Sequence, residues 1–316
     1  MNELPQNQSR TSYDDMDLRT LFRVLWAGKW LIGSITFAAM TIAVVISLML
    51  PNIYRAEALL SPNEQKAVGG LSALAAQYSG LASLAGINID SGTIDKTEFG
   101  LEVLKSRKFI SEFIEHHGLL VHLIAVNGWD AETGDLKIDS DDYDVMSGKW
   151  VRDVSLPKKT IPSLQEAYED FMDILSVSRD KNTGFVTIAI EHYSPTVAKQ
   201  WVDWLVDDLN SSIMRRDVAR AEQAIEYLKK QIESTSVANL QNVFFGLIEE
   251  QTKTVMLAKV SDEYLLNTVD PAVRPEEKSK PKRVLIVVLG ALFGLLIGVF
   301  LTLLFVSGIT GRSQTA

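Results

Sequence analysis

Two stretches of the chain carry no polar stripe. Trp30–Leu50 (WLIGSITFAAMTIAVVISLML) and Val284–Val306 (VLIVVLGALFGLLIGVFLTLLFV) run for 21 and 23 residues without a charge. As helices they are about 31 and 34 Å long, enough to cross a bilayer core. A core helix of that length would need a polar face, and neither has one. The first is too long for a signal-peptide core and follows 29 residues, so it reads as a retained span ended by Pro51.

Between the spans the pattern changes to that of a solvated domain. Ile53–Leu60 alternates loosely and predicts a strand ending at Ser61-Pro62. Leu101, Leu104, Phe109, Ile110, Phe113 and Ile114 make Glu98–His116 an amphipathic helix, closed by Gly118. Asn127–Thr160 is polar and Asp-rich, and reads as irregular. Ser163 with Glu166 three residues later has capping-box spacing, for a helix to about Leu175. Leu175–Arg179 and Phe185–His192 then predict a hairpin around Asp180–Gly184.

From Pro195 a helical stripe runs through Val202, Leu205, Leu209, Ile213, Ala221, Ile225, Leu228 and Ile232. Pro195–Ile232 alone spans about 57 Å, and continuation through Ala258 would reach about 96 Å. Such a helix outgrows a compact domain. It is predicted to project from the membrane and pack on other helices, with Ser234-Thr235-Ser236 as its kink. Tyr264–Val269 is β-compatible, and Pro271, Pro275 and Pro281 make an extended tether. The strands nearest the two spans are predicted to meet in one membrane-proximal module.

Three segments read less sharply. Met1–Thr11 is polar, and Leu18, Leu21, Phe22 and Leu25 with Trp26 and Trp30 suggest an interfacial helix before the first span. Ala67–Gly86 is a charge-free loop or weak helix. Its four glycines and three serines argue against a third span.

Charge then sets orientation and partners. The net charge of −9 and pI near 5.1 argue against nucleic acid. The absence of cysteine excludes disulfides, thiol nucleophiles and cysteine metal sites. Arg19, Arg23 and Lys29 favour a cytoplasmic N-terminus. Lys278, Lys280, Lys282 and Arg283 lie before the second span and oppose this, but a loop of over 200 residues crosses largely regardless of its charge. Residues 51–283 carry 26 Lys/Arg and 36 Asp/Glu, a net −10.

The predicted fold is an α+β membrane protein, with two transmembrane helices flanking a periplasmic α/β base module that bears a long protruding helix. The division is 1–29 cytoplasmic, 30–50 first span, 51–283 periplasmic, 284–306 second span and 307–316 cytoplasmic tail. Within the periplasmic part, the base takes about 51–194 and 260–283, and the long helical region about 195–259.

Little in the chain suggests catalysis. GxxxxGK[ST], HExxH, GxSxG and GxGxxG are all missing. His116 and His117 are neighbours that should face apart on a helix, with His122 beyond Gly118, so they read as solvated. Asp139, Asp141, Asp142 and Asp144 lack the EF-hand glycine and distal glutamate, and read as a solvated acidic loop. Arg215, Arg216 and Arg220, with Lys229 and Lys230 beyond, could meet an anionic glycan, a lipid-linked pyrophosphate or another subunit. They equally suit an exposed face on which Glu226 and Lys230 pair. Gly290, Gly294 and Gly298 form GxxxGxxxG, a surface for close packing on the first span, a second copy or a partner.

Taken in order, several segments make the chain resemble the Wzz-type polysaccharide chain-length determinants, or co-polymerases. They are DLRTLFRVLWAGKWLI (17–32), Pro51-Asn52-Ile53-Tyr54 with Ser61-Pro62, SPTVAKQWVDWLVDDLN (194–210) and DPAVRPEEKSKPKR (270–283). The membrane-proximal residues carrying the likeness are Pro51, Tyr54, Pro62, Asp270, Pro271, Pro275 and Pro281. The resemblance implies a multi-pass bacterial inner-membrane protein with a large periplasmic domain, of the type without a fused kinase. It implies a homo-oligomeric ring that works with a Wzy-type polymerase on lipid-linked polysaccharide, without cofactor, metal or catalytic residues. O-antigen chain length would be its output. The segment 67–86 also resembles exopolysaccharide relatives, which leaves a capsule or exopolysaccharide co-polymerase or export component as the alternative. A periplasmic glycan-processing enzyme, a two-span receptor and an adaptor are the rivals.

Overall fold

The computed structural model describes residues 25–63 and 95–312, with side chains as far as Leu304. The helix expected around Leu18–Leu25 falls largely outside these residues, and the segment 67–86 wholly so. The chain divides into two compact units, 1–51 with 280–316, and 52–279.

The first unit holds helix α1 (Lys29–Met49) and the last helix of the chain, α8 (Arg283–Arg312). Lys29–Met49 and Arg283–Leu304 are both long and apolar enough to cross a membrane. Most of their large apolar side chains, Phe37, Ile42, Phe293 and Phe300 among them, are exposed.

The second unit is built on a four-stranded antiparallel sheet of order β6-β7-β1-β8. Strand β1 is Tyr54–Pro62, β6 Leu175–Arg179, β7 Val186–His192 and β8 Leu266–Asp270. Alternation along β1 puts Ala56, Ala58 and Leu60 in the core and exposes Glu57. Strands from the two ends of the domain pair directly, Leu60 opposite Thr268 and Pro62 opposite Leu266.

Helices pack on this sheet. α2 (Lys96–Leu104) and α3 (Arg107–His117) replace the single helix expected over Glu98–His116. The break is made by Ser106, which leaves helical geometry and accepts a hydrogen bond on its Oγ from Phe109 N–H. A short α4 (Leu120–Ile124) follows Gly118, whose φ of 63° takes the left-handed C-terminal position. α5 (Leu164–Ile174) starts where expected, with Ser163 Oγ accepting from Glu166 N–H. Phe171 of α5 packs between Phe113 (centroids 5.5 Å) and Trp201 (5.9 Å).

The expectation of an irregular 127–160 is corrected. The segment contributes to two small hairpins, β2 (Val126–Trp129) with β3 (Leu136–Ile138), and β4 (Tyr143–Asp144) with β5 (Lys149–Trp150). Strands of two to four residues are too short for alternation to register. Their turns are built by aspartates: Asp130 Oδ1 accepts from Glu132 N–H, and Asp144 Oδ1 from Met146 N–H. Asp139 and Asp144 of the acidic run are therefore turn formers.

The long helix is found, and the kink expected after it is a full reversal. α6 (Pro195–Ser234) is 40 residues, about 60 Å. At Thr235 and Val237 the backbone is extended, and α7 (Ala238–Val260) runs back antiparallel instead of prolonging the rod. Gln241 Nε2 fastens this reversal by donating to Thr235 O at 2.7 Å. At the far end Ala258 of α7 lines one groove with Met214 and Val218 of α6.

Candidate functional site

The membrane unit is organised by glycine. A Cβ added at Gly290 would lie 2.5 Å from Ala43 Cβ, one at Gly294 2.7 Å from Ala39 Cβ and 2.9 Å from Thr36 Cα, and one at Gly298 3.0 Å from Ile32 Cα. The contacts at Gly290 and Gly294 are tighter than real Cβ atoms tolerate and the one at Gly298 is tighter than most, so the GxxxGxxxG face of α8 packs closely on α1. Within the chain this face meets the first apolar helix. One turn beyond, Thr302 is buried beside Gly28, its hydroxyl donating to Gly298 O at 2.8 Å.

In the sheet unit, the motif residues Tyr54, Pro62 and Asp270 lie on paired strands β1 and β8, with Pro271 and Pro275 just after. Pro51 and Pro281 belong to the membrane unit. Tyr54 meets Trp129 edge-on at 5.5 Å, and the Arg274 guanidinium lies 5.9 Å from the same indole. Trp129 thus joins the start of the sheet to the segment that follows it, and sequence reading missed it because its hairpin was read as loop.

The arginine cluster is dispersed. Arg215 and Arg220 are exposed, whereas Arg216 sits 4.1 Å over the Phe99 ring. Glu226 and Lys230 pair at 2.8 Å. On the same flank as Arg216, Asp217 accepts from Lys96 Nζ (2.8 Å) and Tyr264 OH (2.9 Å). Burial works against the Lys96 charge, but Asp217 and Tyr264 outweigh it and hold the ammonium above its usual range.

Two grooves flank Arg215. One, about 630 Å³, lies between α6 and the end of α7 and holds Asp207, Glu222, Lys259 and Asp262. Burial, then the carboxylates of Asp203 and Asp208, raise the Asp207 pKa. The other, about 300 Å³, is lined by Glu112, Glu115, His116, Asp208, Ser212 and Arg215. Here the reading of His116 and His117 as facing apart fails. Their rings are 4.8 Å apart on the last turn of α3, and Asp208 of α6 joins them. His117 Nε2 is 3.0 Å from Asp208 Oδ2, and its ring stacks on Trp204 at 4.2 Å. The partner carboxylate is 91 residues away in sequence, so no local spacing could reveal it.

Comparison with known proteins shows what parts of the chain are similar to. Residues 14–117 match the Wzz family model, "Chain length determinant protein". Residues 227–305 match a second model, "G-rich domain on putative tyrosine kinase". No curated protein matches the chain. Among solved structures, a full-length bacterial polysaccharide co-polymerase is similar at 13% identity and TM-score 0.38, over 95% of this chain and 100% of its own. A fragment of WzzB, a polysaccharide co-polymerase from Salmonella Typhimurium, is similar at 11% identity and TM-score 0.26, over 72% of this chain and 100% of its own. The chain is thus similar to the Wzz chain length determinants from before the first apolar helix to the end of α3.

Proposed function

We propose that this chain sets the length of a bacterial surface polysaccharide as a homo-oligomeric scaffold. It acts with a Wzy-type polymerase on lipid-linked repeat units and makes no glycosidic bond itself. The chain length determinant match over residues 14–117 carries this reading. Both apolar helices cross the inner membrane, the termini face the cytoplasm, and residues 51–283 are periplasmic, in keeping with Arg19, Arg23 and Lys29 ahead of the first helix. The α6–α7 hairpin supplies subunit contact: Leu240, Val243 and Phe245 are each about half exposed in the single chain and would be covered by a neighbouring copy. The membrane helix pair holds the scaffold beside the polymerase.

Deletion of the gene tests this. Surface polysaccharide on a gel should persist but lose its preferred length, giving a broad ladder. Complete loss of polymer would point to an essential enzyme. The match of residues 227–305 to a domain described on tyrosine kinases favours a second reading, an exopolysaccharide or capsule co-polymerase. Sugar analysis of whichever polymer loses its mode in the deletion strain separates the two.

A further inference from the structure

We propose that His116, His117 and Asp208 form a binding site for a first-row transition-metal ion of the zinc class, clipping the end of α3 to the long helix α6. One ligand atom from each of the three lies within 4.8 Å of the other two. Donors bound at about 2.0–2.2 Å to one tetrahedral ion stand about 3.3–3.6 Å apart, so a pair at the 4.8 Å limit closes by about 1.3 Å, a movement within reach of the exposed His116 side chain. The 3.0 Å between His117 Nε2 and Asp208 Oδ2 suits two adjacent positions on one ion, subtending about 90° at a bond length near 2.1 Å. Two imidazoles and one carboxylate suit zinc, nickel, copper or iron better than calcium or magnesium, which take oxygen donors.

The surroundings favour a cation. Both histidines sit on the last turn of α3, at the negative end of its backbone dipole. Glu112 and Glu115 line the same groove, against one guanidinium, that of Arg215. His117 is held in place by its stack on Trp204 and by Phe113, 4.9 Å away, so one ligand is already oriented. His116 is exposed and free to turn its ring onto the ion. This inference is independent of the chain-length reading: a scaffold of either polymer class could carry the clip.

The test uses the full chain, purified in detergent without a histidine tag and stripped of metal by chelator. Titration with Zn²⁺ should show one equivalent bound per chain, Co²⁺ should give the visible bands of a nitrogen- and oxygen-bound ion, and Zn²⁺ should raise the unfolding temperature. His116→Gln should weaken binding at least about tenfold, since even outer partners of a metal ligand cost about 10–100-fold. Because His116 is exposed, this variant should keep the circular dichroism of the parent. His122→Gln should bind as the parent does. Absence of stoichiometric binding, or unchanged affinity in His116→Gln, overturns the proposal.

Discussion

Asn210, buried on α6, answers both main-chain groups of Leu266: its Oδ1 accepts from the Leu266 N–H at 2.9 Å and its Nδ2 donates to the Leu266 carbonyl at 3.1 Å. The same Oδ1 also accepts from Leu265 N–H at 2.8 Å. One side chain thus fixes where β8 begins against the long helix. Asn210→Ala leaves these groups buried without their partner, at a cost of about 1–3 kcal/mol for each group that water cannot reach. Urea unfolding of the purified protein should show a lower midpoint. A midpoint equal to the parent's would mean that β8 is held by its pairing with β1 alone.

A buried histidine makes the fold acid-sensitive. His192 Nδ1 accepts from Ser194 N–H at 3.0 Å and Nε2 faces His122 O at 3.1 Å, so the ring is neutral with its proton on Nε2. Burial pushes its pKa from 6.5 down to about 4. The unfolded chain takes up the proton near pH 6.5 and the folded one does not. This stability is therefore complete above about pH 6.5 and declines as the pH falls towards 4, by about 3 kcal/mol in all at 1.36 kcal/mol per pKa unit. Stability measured at pH 7.5 and pH 4.5 should drop less in His192→Asn than in the parent. Equal drops would assign the acid sensitivity to other groups.

The glycine face of α8 gives a graded series. Gly294→Ala introduces a Cβ against Ala39 and Thr36, and Gly294→Leu adds a branched chain where backbones touch. The modal polysaccharide length on a gel should shift slightly with alanine and strongly with leucine, while the circular dichroism of the sheet unit stays unchanged. A leucine variant with parental length would detach the helix pair from length control.

Glu166 and Arg152 form an ion pair at 2.9 Å, and both side chains are nearly buried. The Arg152 hydrogen bond holds the Glu166 carboxyl below its usual range, with Lys158 assisting. Removing the guanidinium strands a buried carboxylate, which costs about 3–5 kcal/mol when a buried pair is broken. Arg152→Met should accordingly lower the thermal midpoint by more than the double variant Arg152→Met with Glu166→Leu. The reverse order would show that Lys158 alone satisfies Glu166.

Asp207, whose carboxyl pKa is raised by burial and its acidic neighbours, lines the larger groove and is the carboxyl best suited to act as an acid there. If the protein is a scaffold, Asp207→Asn keeps the parental polymer length and amount. Loss of activity on glycan in that variant would instead identify a general acid.

Legibility in the sequence followed the range of the interaction. The apolar helices, the Ser163 cap and the strand pair around Asp180–Gly184 depend on residues a few positions apart, and each was readable. The reversal after Ser234 was not, because it uses neither glycine nor proline. Two extended residues and the side chain of Gln241 make it, and a kink was the nearest local reading. The helix break at Ser106 hid inside an apolar period that continues across it. The Tyr54–Trp129–Arg274 group and the His116–His117–Asp208 group exist only once distant elements are folded together.

Strand β1 is flanked by β7 and β8, and its partner Thr268 lies about 200 residues downstream of Leu60. A nascent chain emerging from the ribosome therefore cannot finish this sheet until nearly all of residues 52–270 has been made. Until then the outer edge of β1 stands without its closing strand, exposed to mispairing with other chains. Assembly of such a protein is best timed by the arrival of the last apolar helix, which follows β8 by only a dozen residues.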